Sequence, residues 1–404
     1  RPPPPPPPPL FFFTRSRAKT RSSLVSWGSE MCIRDRDSIS AIEFCAIAKD
    51  AVLNFNPKIH IESIPMADGG EGSIDVFRYI NGYRYKTVRV KDPLGKNISA
   101  EYCIQKKTGT AMIEMAKASG LQMVPKNHRN PMKTSSFGTG QLILDAINSG
   151  AEKIILFIGG TATNDGGAGL LQGLGVKFLD RENNPLSQFL KPCDLISVRK
   201  ADLTDLKRLL SGVSIDVGHD VDNPLLGRNG ATFVFGPQKG IKVEEIPKFE
   251  SALAHYSEVI GKATGKKAAT TPGAGSAGGI GFSLVSVLEA KMSPGAHLVM
   301  DLSDFKNQAR NVDLVITGEG KIDHQTFQGK AISRIADVIK PYEIPLVAIG
   351  GVIEEDVIKS LRKQFNYFVE TTSSKTPSHS INQHQAQKNL FNAAGKIARW
   401  LETI

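Results

Sequence analysis

The sequence predicts an α/β protein built on a parallel sheet, and three apolar runs are the main evidence. They are KIILFIGG (153–160), DLVITGEG (313–320) and IPLVAIGG (344–351), and each ends in glycine. Continuous apolar strands are typical of parallel sheets that helices cover on both faces. The last two runs are followed by segments with helical periodicity, 331–339 and 354–365. In such folds ligands bind beyond the carboxyl ends of the strands.

Regular structure is expected from about residue 37 onward. Ser40 followed by Glu43 predicts a capping box for a helix that runs to about Asn54. A short strand over 59–64 then leads into the glycine-rich stretch PMADGGEGS. These elements belong to the same alternation of strand and helix as the apolar runs near the end of the chain.

The middle of the chain, residues 83–285, alternates less regularly. We expect a helix over 139–149 and a loop or mobile connection over 262–271. We therefore interpret 83–285 as a second α/β domain inserted into a first domain, which comprises 37–82 and 286–404.

The first 36 residues differ from the rest in composition. They begin with a proline run and carry seven basic against two acidic side chains. Their apolar run, LFFF, is too short for a signal sequence or a membrane span, and no other segment predicts one. We expect a non-native or disordered tail joined to a truncated gene; a natural basic tail is the alternative.

Composition limits the classes of function. The 404 residues suffice for two or three domains, and 40% hydrophobic with 22% charged residues is typical of a soluble globular protein. Four cysteines without CxxC spacing favour neither a disulfide framework nor a zinc site, which fits the cytoplasm. The net charge is +10, but the basic residues outside the tail are dispersed. This argues against nucleic-acid binding and suits anionic small substrates.

Two glycine-rich stretches follow predicted strands. In the first, Asp68, Gly69 and Gly70 would let backbone N–H groups approach an anion; a tight turn with solvated acids is the alternative. The second stretch, 158–169, holds several glycines around one acid, Asp165, which could bind Mg²⁺ or accept a substrate proton. A purely structural glycine loop is the alternative there. The expected ligand contacts of the second stretch are Thr161, Thr163, Asn164, Gly166 and Gly167.

The third stretch combines acids with a lysine. Asp220 and Asp222 share one side of an extended segment, a spacing that suits a divalent cation, and Asn223 follows them. Lys239, between proline and glycine neighbours, could neutralise a phosphate. A plain turn with surface charges is the alternative.

The fourth stretch contains a formal GxGxxG, with Gly275 and Gly278 as candidate phosphate contacts. Because no apolar strand precedes it, we interpret it as a helix start that admits phosphate or packs on a neighbouring domain. A nicotinamide-dependent enzyme is the alternative that depends on this motif.

The fifth stretch, TGEGKID (317–323), follows a buried strand. Its candidates are Gly318, Glu319, Gly320 and Asp323, with Lys330 shortly after. No P-loop or protein-kinase motif occurs in the sequence. Many backbone donors with acids and lysines are what phosphoryl transfer requires, since its catalysis is mostly positioning and charge neutralisation.

Taken in order, these stretches resemble the glycerate kinase type 1 family. The resemblance rests on PMADGGEGS, GGTATNDGGAG, DVDNPLLG, FGPQKG, GAGSAGGIG and DLVITGEGKIDHQTFQGK, and runs from about Ser38 to the end. It implies ATP-dependent phosphorylation of D-glycerate to 2-phosphoglycerate with Mg²⁺. It also implies a flavodoxin-like domain split between the chain ends, an inserted domain, and an active site in their cleft.

The residues on matched positions are Asp68, Asp165, Asp220, Asp222, Asn223, Lys239, Glu319 and Asp323. Of these we expect catalytic roles for Asp165, Asp222, Lys239 and Glu319. We expect metal binding by Asp220, Asp222 and Asp323. Which carboxylate is the base, which glycerate hydroxyl reacts and which oligomer forms stay open.

One departure from the family concerns the start of the fold. Family members open with an apolar strand and an Asp-Ser-Phe-Lys-Gly-like loop, where this chain has CIRDRD. We therefore expect a sheet without its usually central first strand, at about 1–3 kcal/mol for each unpaired buried backbone group. A catalytically inactive metabolite- or nucleotide-binding protein is the corresponding alternative.

Overall fold

A computed structural model describes residues 22–27, 39–79, 82–324, 326, 331–372 and 382–401. The strands are β1 (Ser22–Trp27), β2 (His60–Pro65), β3 (Arg84–Lys91), β4 (Asn97–Gln105), β5 (Thr110–Glu114), β6 (Lys153–Phe157), β7 (Lys177–Leu179), β8 (Lys200–Asp202), β9 (Ser214–His219), β10 (Lys291–Pro294), β11 (Leu314–Ile322), β12 (Leu346–Ile353) and β13 (Tyr367–Glu370).

The α-helices are α1 (Ala41–Phe55), α2 (Ala116–Ser119), α3 (Phe137–Asn148), α4 (Ala168–Gly173), α5 (Thr204–Leu209), α6 (Ala231–Phe235), α7 (Ile246–Thr264), α8 (Ser276–Ser286), α9 (Gly295–Leu302), α10 (Phe305–Ala309), α11 (Ala331–Ile339), α12 (Ile358–Gln364) and α13 (Gln383–Leu401).

The first sheet is parallel throughout and has the strand order β2-β1-β11-β12-β13. Counted within the sheet, this is the 2-1-3-4-5 order of flavodoxin-like folds. The predicted α/β class with a parallel sheet is confirmed. The chain adds β2 on one side of β1 and β11 on the other, so the order of strand addition reverses between β1 and β11. The crevice outside such a switch point is where these sheets bind ligands.

The expected loss of the central first strand is wrong. The backbone of β1 pairs in parallel with β2 from Ser22 to Trp27 and with β11 on its other side. Six residues of the expected tail thus fill the centre of the sheet, and the hydrogen-bonding groups of β2 and β11 have their partner. The position of the family's opening loop falls in 28–38, outside the described residues.

The second sheet is mixed, with the order β10-β9-β6-β5-β4-β3. The pairs β3–β4 and β4–β5 are antiparallel, and the others are parallel. Its strands lie between residues 84 and 294, whereas the first sheet takes its strands from both ends of the chain. Because β10 lies beyond residue 285, the division of the chain at the expected boundaries stays a prediction.

Both faces of β6 are buried, and they face different cores. Ile154 and Leu156 belong to the core under α3, α4 and α7, whereas Ile155 and Phe157 face the first sheet. There they pack in the same cluster as Phe77 and as side chains of α9 and α11. On the opposite face of the first sheet, α1 and α13 pack together. The two sheets therefore share a core.

The local predictions have mixed outcomes. The capping box of α1 is confirmed, since Glu43 N donates to Ser40 Oγ (3.2 Å) and Ser40 N donates to Glu43 Oε2 (2.9 Å). The helices expected over 139–149 and 331–339 are α3 and α11. The connection expected from 262 begins only after Thr264, where Gly265 ends α7 with a positive φ. In the described part of the chain, no helix has the length and apolar character needed to span a membrane.

Candidate active site

The glycine loop 158–169 is organised around the carboxylate of Asp165, which is completely buried. Its Oδ2 accepts hydrogen bonds from Ser136 N (2.8 Å), Ser136 Oγ (2.7 Å) and Gly169 N (3.3 Å), and its Oδ1 accepts from Gly167 N (3.1 Å). Burial raises the pKa of Asp165, and these hydrogen bonds oppose the rise. The carboxylate therefore holds the loop at the start of α4, with its oxygens already in use.

Lys239 lies beneath the same loop, with only 3% of its surface exposed. Its Nζ donates to the carbonyl oxygen of Thr163 (2.7 Å) and to Thr161 Oγ1 (3.2 Å). Burial lowers the pKa of Lys239 to about 7, and the nearby charge of Asp165 partly offsets this effect. At neutral pH the amine can thus exist in both protonation states, inside a loop rich in backbone donors.

Two polar atoms of this loop are buried without a hydrogen-bond partner among the described residues. They are Thr163 Oγ1 and Asn164 Oδ1. Asn164 also donates through Nδ2 to Thr232 Oγ1 (3.1 Å), which fixes the direction of its side chain. A buried unpaired polar atom costs about 1–3 kcal/mol, so its retention indicates a polar partner in the working protein.

The third and fourth stretches interlock with this loop. Gly275 N donates to the carbonyl oxygen of Asn223 (2.8 Å), and Gly166 N donates to the carbonyl oxygen of Gly278 (3.1 Å). Residues of three predicted motifs, distant in sequence, are therefore joined by main-chain hydrogen bonds.

The first stretch reaches the same place from the other sheet. The carbonyl oxygen of Gly69 accepts from Gly159 N (3.1 Å), and Asp68 Oδ1 accepts from Gly70 N (2.9 Å). This contact places the loop after β2 against the carboxyl end of β6.

Backbone, rather than open space, lies against several of these glycines. A Cβ on Gly159 would be 2.6 Å from Gly70 Cα, and one on Gly278 would overlap the carbonyl oxygen of Thr163. A Cβ on Gly275 would likewise overlap the carbonyl oxygen of Pro224. These positions require glycine because two segments of main chain meet there, and phosphate contact by Gly275 and Gly278 stays a prediction.

The fifth stretch forms the end of β11. Gly318, Glu319 and Gly320 lie within the strand, and Glu319 is buried. Since β11 and β2 flank β1 in a parallel sheet, Glu319 near the end of β11 and Asp68 after β2 lie toward the same, carboxyl edge of that sheet. Lys330 lies outside the described residues.

The predicted metal ligands are not gathered in one cluster. Asp220 and Asp222 are exposed, whereas Asp323 is largely covered and lies 3.4 Å from the ammonium of Lys321. Over the described ranges, no three histidine, cysteine, aspartate or glutamate side chains are arranged to hold a metal. Two exposed carboxylates still fit Mg²⁺, which proteins often bind through one or two carboxylates together with substrate phosphates.

Among the residues near these loops that were not predicted are Ser136, Glu114 and Lys117. Ser136 supports Asp165, and its Oγ also accepts from Leu170 N (2.8 Å). Glu114 and Lys117 contact the segment after Gly70. A glutamate that directly follows three apolar residues in the strand TAMIE was the available signal for Glu114.

Comparison with known proteins identifies the family to which the chain belongs. The model of the glycerate kinase family matches residues 35–402. The chain is 41% identical to glycerate kinase from Halalkalibacterium halodurans over 78% of this chain and 83% of the relative. It is 40% identical to glycerate 2-kinase from Escherichia coli K12 over 80% of this chain and 84% of the relative.

A solved structure extends the likeness to three dimensions. The crystal structure of a candidate glycerate kinase 2 from Salmonella typhimurium LT2 superposes with a TM-score of 0.81 at 33% identity. The superposition covers 95% of this chain and 99% of that one. With the family match over most of its length, the chain belongs to the glycerate kinase family and is a kinase.

Proposed function

We propose that the protein transfers the γ-phosphoryl group of ATP to the 2-hydroxyl of D-glycerate, giving 2-phosphoglycerate. The observation that carries this proposal is the buried amine of Lys239, which donates hydrogen bonds to Thr161 and Thr163 of the glycine loop 158–169. A cation beside backbone donors in a water-poor site stabilises the charge that spreads over a phosphoryl group during transfer. The names of the relatives supply the acceptor, since two of them are a glycerate kinase and a glycerate 2-kinase.

We assign the acids to different tasks. Asp220 and Asp222 would hold Mg²⁺ together with the nucleotide phosphates. Asp323 would join these metal ligands only by giving up its ion pair with Lys321. When bound, Mg²⁺ neutralises phosphate charge. Glu319, buried at the carboxyl end of β11 near the switch point, is our candidate for accepting the hydroxyl proton. Asp165 acts by holding the glycine loop, because its oxygens accept hydrogen bonds from that loop and from Ser136.

A catalytically inactive binding protein is the weaker alternative. That hypothesis depends on a missing central strand, and β1 occupies this position. We further infer a cytoplasmic enzyme that acts on small molecules. Cys45, Cys103 and Cys193 are free thiols, as expected in a reducing compartment. Self-association stays open.

The test is release of ADP from ATP with D-glycerate and Mg²⁺, with the product identified by phosphorus NMR. Lys239→Met should lower kcat/KM at least about 100-fold, since it removes one charge-stabilising group. Lys242→Met, an exposed lysine three residues away, is the matched control and should be unchanged. Equal activity of the two variants would reject the role of Lys239, and a 3-phosphoglycerate product would reject the assigned hydroxyl.

A further inference from the structure

Glu114 is a buried acid that the proposed chemistry does not use. It ends β5, has no exposed surface, and its Oε1 lacks a hydrogen-bond partner among the described residues. A buried carboxylate is costly unless it is paired, so an acid at the end of a strand that is buried along its whole length has to serve a purpose other than packing.

The other oxygen of Glu114 faces the loop that follows β2. Its Oε2 accepts from Ile74 N (3.3 Å), and the backbone N–H of Gly72 lowers the pKa of the carboxylate. Both N–H groups belong to the segment that follows Asp68–Gly70. A carboxylate of the second sheet therefore binds the main chain of the loop that follows β2 of the first sheet.

Two further side chains, Lys117 of α2 and Tyr85 of β3, hold the same segment. Lys117 Nζ lies 3.1 Å from Asp75 Oδ2, and Tyr85 Oη donates to the carbonyl oxygen of Ile74. With the hydrogen bond between Gly159 and Gly69, the loop is fixed at both its ends.

We propose that Glu114, in its ionised form and together with Lys117, is a positioning residue that holds the Asp68–Gly72 loop in place for phosphoryl transfer; this inference rests on the proposed function. The negative charge matters because hydrogen bonds from N–H groups to a carboxylate are about twice as strong as those to a neutral acceptor. Protonation of Glu114 would weaken the hydrogen bond from Ile74 N and let the loop move.

The charge of Glu114 depends on its surroundings. Burial raises its pKa to about 7, while Lys117 and the N–H groups of Gly72 and Ile74 lower it and Asp75 raises it further. Glu71 and Glu101, together with Glu114 and Lys117, line a cleft of about 420 Å³. The loop should therefore be held firmly at pH 8 and loosely at pH 6.

Glu114→Gln imitates the protonated form at every pH, which makes the pH profile the decisive measurement. At pH 8 the variant should have a kcat about tenfold below the unchanged protein, the scale expected for a misplaced loop, and at pH 6 the two should agree within about twofold. Titration of Lys239, also near pH 7, affects both proteins equally and cancels in the ratio. A ratio that stays constant with pH would overturn the inference.

Glu152→Gln, an exposed glutamate outside the site, is the control and should follow the unchanged protein at each pH. Amide hydrogen exchange at Ile74, without substrates, separates this inference from the proposed function, because this amide donates to Glu114. At pH 8 it should exchange faster in Glu114→Gln. Equal protection would overturn the positioning role even if glycerate is phosphorylated, and absent turnover with altered protection would reject only the proposed function.

Discussion

Replacing Lys239 by methionine should change how the stability of the protein depends on pH. In the folded chain, Lys239 and Glu114 both have a pKa of about 7, but burial has moved the two values in opposite directions, from 10.5 and from 4.5. Their effects on stability therefore have opposite signs. In the unchanged protein they should nearly cancel between pH 6 and pH 8.

The magnitude follows from proton linkage. Between pH 7 and 10.5 the unfolded chain holds the Lys239 proton more tightly, so this residue makes stability rise with pH. Between pH 4.5 and 7 the folded chain holds the Glu114 proton more tightly, so stability falls as pH rises. Because each pKa lies at the centre of the interval, each group contributes about 1 kcal/mol from pH 6 to pH 8.

Urea unfolding at pH 6, 7 and 8, without ligands, measures these slopes. Relative to the unchanged protein, Lys239→Met should lose about 1 kcal/mol between pH 6 and pH 8, Glu114→Gln should gain about as much, and the double variant should regain the original slope. Lys242→Met and Glu152→Gln serve as exposed controls. Parallel pH dependences for all the proteins would refute the reasoning, because burial would then not govern either pKa.

Three further outcomes are expected. Gly295→Ala should lower the free energy of unfolding by about 1–3 kcal/mol, because the new methyl group would overlap the Asp68 carbonyl oxygen. Urea titration beside Gly395→Ala, whose methyl group would meet nothing within 4 Å, checks this, and equal losses would contradict it. Asp165→Ala should cost at least about 3 kcal/mol by leaving several buried donors unpaired, and an unchanged urea midpoint would speak against it. Asp222→Asn should raise the Mg²⁺ concentration for half-maximal ADP release about tenfold, whereas an unaltered Mg²⁺ titration would remove Asp222 from the metal site.

Apolar runs and glycines were sufficient to predict the parallel sheet, because strands buried on both faces have few alternatives to a continuous apolar sequence. The same criterion failed for β1. Its sequence, SSLVSW, has three serines in six residues and follows a basic, proline-rich segment, so composition argued against a central strand. Pairing with β2 and β11 outweighs local propensity there, and pairing partners cannot be read from a short segment alone.

The motifs predicted that the glycine-rich loops meet, and main-chain hydrogen bonds join the first four of the five stretches. They did not predict what each residue does there. Asp165 was a candidate for catalysis because acids among glycines often contact ligands, yet its oxygens face Ser136 and the amides of its own loop. Ser136 is 29 residues away in sequence and carries no motif of its own. The direction in which a side chain points depends on tertiary packing, which loop composition does not encode.

Aromatic and aliphatic side chains from both sheets meet where Met112 and Phe157 pack with Phe77 and Val299. Pulling the sheets apart would wet these rings and methyl groups, so neither sheet has a complete hydrophobic interior by itself. Heat should consequently melt both sheets in a single calorimetric peak. A fragment cut near residue 83 would be expected to aggregate rather than remain as an autonomous folded unit.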